Sequence, residues 1–242
     1  MGAFVMGIVN VTPDSFSDGG KYFRPEEAIR RARNEVEEGA AVIDLGGEST
    51  RPGAVPIGWE EEWRRVRPVL DALTRGPQAL SVPISVDTYH PETATRALAA
   101  GARIVNCVYP EPIPQMVEVI RSSPNDAAEL IAPAECADYL ATAGVAYYLD
   151  PMIGFGPSRE DDLVRLGSVR KLSEKARVVV GVSRKRLVKR LTGEKETGKN
   201  LGGNLALALA CAAAGATLLR VHDVRETVQA LAVTEALKQG IL

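Results

Sequence analysis

Apolar positions along the chain fall in short unbroken runs rather than in alternation. The runs cover residues 3–9, 41–45, 82–87, 103–107, 129–132, 145–150, 177–182 and 217–221. Alternation marks a strand with one wet face, whereas continuous runs of this length predict strands buried on both faces, as in a parallel sheet. Between the runs the spacing lengthens to the helical period. Residues 25–38 place Ala28, Ile29, Ala32 and Val36 on one face. Trp59, Trp63, Val66, Leu70 and Leu73 form a second stripe, in which Pro68 marks a kink or an interruption. Pro91 suits the first position of a third helix. Residues 224–238 form the last, presenting Val224, Val228 and Leu231.

Eight strand-like runs, each followed by a helical or long enough segment, predict a (β/α)8 TIM barrel occupying residues 1–242 as one domain. A doubly wound open sheet is the alternative. Polar residues stand at the carboxyl ends of nearly every run: Asn10, Asp44, Asp87, Asn106, Asp150, Ser183 with Lys185, and His222. In a barrel these ends meet on one face, where catalytic groups gather. In an open sheet they would spread along an edge. The barrel is therefore favoured. Helix 201–214 is apolar almost all round, so it is expected either deep in the core or against another subunit.

Composition narrows the function classes. The chain has 242 residues, 45% hydrophobic and 25% charged, with a net charge of -2. That balance gives no general affinity for polyanions, so no nucleic-acid partner is expected. No apolar stretch approaches the ~20 residues of a membrane helix, and a secreted protein is not expected. Three cysteines, Cys107, Cys136 and Cys211, form no even set and no C-x-x-C pair. A disulfide framework is not expected, and a reducing cytoplasm fits. Two histidines argue against a polyhistidine metal site.

The polar ring suggests a divided chemistry. Asp44, Asp87 and Asp150 could each cap a helix or close an Asx turn. Together with Asn106 they also form an acceptor set that calls for N–H donors, such as an aminopyrimidinone ring. Positive charge lies in STRPGA (49–54), SRKR (183–186) and RVHD (220–223). The loops after the seventh and eighth strands of barrels often hold phosphate, and an arginine fork fits its oxygens. Arg186 and Lys189 read as solvated charges, whereas Arg220 follows a buried run. Asn10 offers a neutral oxygen suited to Mg2+ or to a phosphate-bound metal. Asp14, Phe16 and Asp18, beside Gly19 and Gly20, are either an inert turn or a closing loop.

The segments GIVNVTPDSFSDGG (7–20), IDLGGESTRPGA (43–54), ISVDT (84–88), VN (105–106), LDPMIGFG (149–156), VGVSRK (180–185) and RVHDVRET (220–227) resemble dihydropteroate synthases, in the family's order over almost the whole chain. The resemblance implies a (β/α)8 barrel. It implies an enzyme that joins 6-hydroxymethyl-7,8-dihydropterin pyrophosphate to 4-aminobenzoate by an SN1-like displacement, releasing pyrophosphate and 7,8-dihydropteroate for folate biosynthesis. It assigns Asp87, Asn106, Asp150 and Lys185 to the pterin. Asn10, Arg220 and His222 go to pyrophosphate, with Asn10 as the Mg2+ ligand. Phe16, Thr50, Arg51, Pro52, Phe155 and Ser183 go to aminobenzoate. Asp87, Asp150, Lys185, Arg220 and Asp18 carry catalysis, and Asp14, Phe16 and Asp18 close over the site with loop 49–54. Sulfonamides, as aminobenzoate mimics, should compete. A homodimer through the late helices is expected.

The chain departs from the family at three places. Cys107 stands where an Asp usually follows the pterin-site Asn. ELIAPAE (129–135) replaces a Met-His-Met-like stretch, and the region from strand five to strand six is shortened to about one short helix. Ile131 is the candidate apolar contact there. The amino-terminal hairpin before strand one is trimmed almost away. Two further readings follow: a catalytically lapsed pterin-binding homologue with a regulatory or scaffolding role, or a pterin-dependent methyl-transferring barrel.

Overall fold

The apolar runs become strands in the computed structural model, which describes residues 2–12, 25–49, 55–238 and 240. Among these residues, eight strands pair in parallel and in chain order, and β8 returns to β1 to close the barrel. The strands are β1 (Phe4–Asn10), β2 (Val42–Gly46), β3 (Ile84–Asp87), β4 (Ile104–Asn106), β5 (Glu129–Pro133), β6 (Ala146–Asp150), β7 (Arg177–Val180) and β8 (Leu218–Val221). Each predicted run overlaps its strand. The seventh ends two residues early because Gly181 and Val182 lead into the turn that carries Ser183.

Helices follow the strands: α1 (Pro25–Glu37), α2 (Gly58–Thr74), α3 (Pro91–Ala99), α4 (Ile113–Arg121), α5 (Ala137–Leu140), α6 (Arg159–Gly167), α7 (Val169–Ser173), α8 (Arg186–Thr192), α9 (Leu201–Ala213) and α10 (Val224–Lys238). Pro68 does not end α2, which continues to Thr74 with that proline on its exposed side. Pro91 opens α3 as expected. Helix α6 starts on a reciprocal cap. Ser158 Oγ accepts the Asp161 N–H at 3.1 Å, and the Asp161 carboxylate accepts the Ser158 N–H at 3.2 Å. Between β5 and β6 only a 3-10 turn (Ala134–Cys136) and the four-residue α5 intervene, in line with the shortening read from the sequence.

Strand alternation sorts side chains into two layers. Facing inward, Met6, Val42, Ile104, Ile131, Tyr148, Val179 and Leu218 form one apolar plug. Facing outward, Val5, Ile43, Leu45, Val86, Val178 and Leu219 pack with Ala28 and Ala32 of α1 and Val66, Val69, Leu70 and Leu73 of α2. Each such fully buried side chain contributes about 1.5–3 kcal/mol. Below the plug, Arg177 lies over the Tyr148 ring at 4.0 Å and pairs with Glu129 at 2.7 Å.

Helix α9 corrects one of the two expectations for it. Only Asn204, Ala208 and Cys211 are buried, so the helix is not sunk in the core. A helix apolar all round can still lie on the surface, and its composition conceals which face packs.

Candidate active site

Two residues beyond the plug residues Val42, Ile104, Tyr148 and Leu218 stand Asp44, Asn106, Asp150 and Arg220. The alternation that builds the apolar plug therefore sets a polar layer on it, at the carboxyl end of the barrel. Asp87, paired in register with Asn106, joins the same layer.

Arg220 organises one side of this layer. Its Nε donates to Asp44 Oδ2 at 2.6 Å and its Nη2 donates to Asp87 Oδ2 at 2.8 Å. Asn106 Nδ2 donates to the same Asp44 oxygen at 3.2 Å. Asp44 Oδ1 and Asp87 Oδ1 are buried and have no hydrogen-bond partner among the described residues. A buried acceptor left unmatched costs about 1–3 kcal/mol. A ligand edge with two N–H donors would satisfy both. Burial pushes Asp87 up to about 7, outweighing the pull of Arg220, and Asp44, Glu62 and Asp150 add to the rise. Arg220 itself loses solvation on burial, yet Asp44 and Asp87 raise it above the usual arginine range.

Asp150 and Lys185 occupy the other side. Asp150 is raised by burial, with Lys185 opposing. Its Oδ1 accepts the Met152 N–H at 2.6 Å, so this strand-end Asp forms the Asx turn considered from sequence as well as joining the polar layer. Lys185 is lowered to about 8 by burial, with Asp150 restraining the drop. Its Nζ donates to the Ile153 carbonyl and lies 4.9 Å from the centre of the Phe155 ring. Among the described residues, two non-glycine residues take positive φ, Met152 and Arg184, both at 59°. Each adjoins this pair, where backbone strain is typically held at functional sites.

Ser183 is buried, and its Oγ lies 3.1 Å from His222 Nδ1 and accepts the His222 N–H at 3.3 Å. It thus sits with the residue expected at the phosphate end. Asn10 ends β1 beside Gly46, where a Cβ would come within 3.4 Å of Asn10 Oδ1. Phe155 is 40% exposed at the rim, available to a ligand. Asp14, Phe16, Asp18, Thr50, Arg51 and Pro52 lie outside the described residues. The strand-end position puts Asp44 in the acceptor set read from sequence, but the resemblance assigns it no ligand; its contacts to Arg220 and Asn106 place it in the same layer as the assigned residues. Arg186, expected to be a solvated charge, instead pairs with the fully buried Asp162 at 3.3 Å.

Behind the layer, Glu62 Oε2 accepts the Thr88 hydroxyl at 2.6 Å. Glu48 accepts the Tyr89 hydroxyl at 2.5 Å and lies 3.1 Å from His90 Nε2. Cys107 points away from the layer. It packs among Val105, Ile113, Met116 and Leu130 in an outer cluster, its Sγ donates to the Tyr109 carbonyl at 3.4 Å, and burial pushes its thiol up to about 12. Its neighbour Asn106 faces inward, so alternation excludes Cys107 from the polar face. Ile131 faces inward at the register of Asn106, within the plug.

The chain matches the family described as pterin binding enzyme over residues 6–132 and 125–222. The dihydropteroate synthase of Escherichia coli (strain K12) is 38% identical over 263 residues, spanning 96% of this chain and 90% of that protein. A structure of Xanthomonas albilineans dihydropteroate synthase with 4-aminobenzoic acid is 38% identical and superposes with a TM-score of 0.85, over 98% of this chain and 93% of that one. A Yersinia pestis dihydropteroate synthase in a sulfonamide drug complex is 32% identical, with a TM-score of 0.82, over 99% of this chain and 95% of that one.

Proposed function

Because this chain belongs to the dihydropteroate synthases of the pterin-binding enzyme family, we propose that its polar layer grips a dihydropterin diphosphate and delivers it to 4-aminobenzoate. The enzyme is a transferase of folate biosynthesis. The observation that carries the reading is the acidic and basic set Asp44, Asp87, Asn106, Asp150, Lys185 and Arg220, gathered on one apolar plug.

In this reading the donor edge of the pterin meets the free oxygens of Asp44 and Asp87 and the side chains of Asn106 and Asp150. The carbon–oxygen bond between the ring's methylene and the diphosphate breaks, and its electron pair leaves with the diphosphate. Arg220 and His222 stabilise the charge that develops on that leaving group. The ring left behind is cationic, and the carboxylates of Asp87 and Asp150 stabilise it. The aminobenzoate nitrogen, beside Phe155, then donates its lone pair to the methylene carbon and releases a proton. Positioning and electrostatics supply the catalysis, so no enzyme nucleophile is required.

Magnesium would be shared between the protein and the substrate. Among the described residues no group of three or more His, Cys, Asp or Glu side chains can hold a metal, and Mg2+ commonly takes few protein ligands plus phosphate oxygens. Asn10 would hold it with the diphosphate, where it would neutralise charge on the departing group.

The same reading extends to the assembly and its compartment. Outward on α9, Ala206, Ala210 and Ala213 are exposed, as are Val233 and Leu237 on α10, which packs beside it. This apolar face supports a homodimer through the late helices. Three free cysteines support a reducing, cytoplasmic setting. Among the described residues no helix is long and apolar enough to cross a membrane.

The test of function is turnover. With Mg2+, pterin diphosphate and labelled 4-aminobenzoate, the purified chain is expected to form dihydropteroate catalytically and to be inhibited by sulfonamides competing with aminobenzoate. Tight pterin binding without product would instead fit a lapsed homologue.

A further inference from the structure

Two loops that carry ligand-facing residues converge on one buried carboxylate. Asp162 lies in the first turn of α6 and is fully buried. Its Oδ1 accepts the Gly154 N–H at 2.8 Å, from the loop after β6. Its Oδ2 accepts Arg186 Nε at 3.3 Å, from the start of α8 after β7. A carboxylate taken wholly out of water is costly unless its oxygens are engaged. Here one oxygen serves each loop.

The loop after β6 is pressed between α6 and the Lys185 stem. Gly154 has φ 89°, and a Cβ there would lie 2.6 Å from Lys185 Cδ. A Cβ at Gly156 would lie 2.8 Å from Asp161 Cβ and 3.3 Å from Asp162 Oδ1. Arg165 of α6 donates to the carbonyls of Pro151 and Met152, both at 3.2 Å. Lys185 Nζ donates to the next carbonyl, that of Ile153. Phe155 therefore projects from a segment with no slack, and the residue after Lys185 is tied to the carboxylate that holds Gly154.

We propose that Asp162 is a positioning residue that locks the Phe155 loop to the Lys185 segment and thereby sets the geometry of the aminobenzoate pocket relative to the bound pterin. The proposal rests on the functional reading above for the identity of the two ligands. The coupling itself concerns protein groups only. Asp162→Asn keeps an acceptor for Gly154 but removes the charge pairing with Arg186. Arg186→Gln removes the same pairing from the other side.

The test is a double-substitution cycle on Asp162→Asn and Arg186→Gln, read in two ways. Hydrogen–deuterium exchange without substrates should rise in both 151–157 and 183–188 for each variant. Each single variant should raise KM for 4-aminobenzoate three- to tenfold, with KM for pterin diphosphate within twofold and the double variant no worse than the worse single. Exchange that rises in one loop only, an unchanged aminobenzoate KM, or additive effects would each overturn the proposal. Arg186 is 38% exposed, so Arg186→Gln keeps the test open if Asp162→Asn does not fold. If the unsubstituted protein shows no turnover, the functional reading fails, while the exchange cycle still decides the coupling.

Discussion

Arg220 Nη2 lies 2.8 Å from Asp87 Oδ2. The cation expected to hold the diphosphate is thus paired with the carboxylate expected to hold the ring. In the proposed function this pair would link the two ends of the substrate, while Asp87 Oδ1, which Arg220 does not engage, stays available to the ring.

The pair gives the first prediction. Arg220→Ala should lower turnover by about 10²–10³, the cost typical of losing a preorganised charge-stabilising donor. Arg220→Lys should recover little, because one ammonium cannot span Asp44 and Asp87 as the fork does. Steady-state kinetics on both variants check this. A lysine variant near the normal rate would remove the bridging role.

The second prediction concerns pH. Asp87, raised to about 7, must be ionised to accept ring N–H groups. Lys185, lowered to about 8, must be protonated to balance Asp150. The free-enzyme parameter kcat/KM should therefore fall below about pH 7 and again above about pH 8. Lys185→Arg should move the alkaline limb beyond the accessible range while leaving the acid limb in place. An alkaline limb unmoved by that substitution would assign it to another group.

Much of this arrangement was legible before folding was considered. Continuous apolar runs announced buried parallel strands, and their polar ends announced the rim. The pairing of Arg220 with Asp44 was not legible, because it depends on barrel closure between residues 176 positions apart. Asp162 was hidden for another reason. An acid in the first turn of a helix reads as an exposed dipole-favoured charge, and its partner Arg186 reads as solvent-facing. At Cys107 the sequence alone leaves a site change and a packing change equally open, because the choice depends on which way the strand end faces; it faces outward, into the cluster around Met116.

That outward placement yields a third prediction. Cys107→Ala should keep turnover within about threefold while lowering stability by roughly 1 kcal/mol through lost packing. Cys107 and Cys211 are buried whereas Cys136 is partly exposed. A thiol reagent at neutral pH should therefore label Cys136 first in the native protein. Loss of activity in folded Cys107→Ala would return this residue to the site.

The fourth prediction concerns Glu35, buried in α1 beside Gly7 of β1. A Cβ at Gly7 would come within 2.1 Å of Glu35 Oε2, an oxygen with no partner among the described residues. Burial raises Glu35 from 4.5 to about 7, despite its ion pair with Arg31. The folded state therefore keeps this proton more tightly than the unfolded chain. The stability associated with it is present below pH 4.5 and lost as pH rises through about 7, up to about 3 kcal/mol. Glu35→Gln should be more stable than the parent at pH 8 and show little gain at pH 4.5, by urea unfolding. Gly7→Ala should cost about 1–3 kcal/mol by overpacking, and Glu35→Ala should relieve it.

The central claim is geometric, and a crystal structure with a bound pterin diphosphate tests it most directly. The account predicts the ring's N–H edge within hydrogen-bond distance of the Asp44 and Asp87 oxygens that have no protein partner, with Asn106 and Asp150 alongside. It places the diphosphate against Arg220, His222 and Asn10. A ring bound away from Asp87 and Asp150, or a diphosphate that does not reach Arg220, would contradict it.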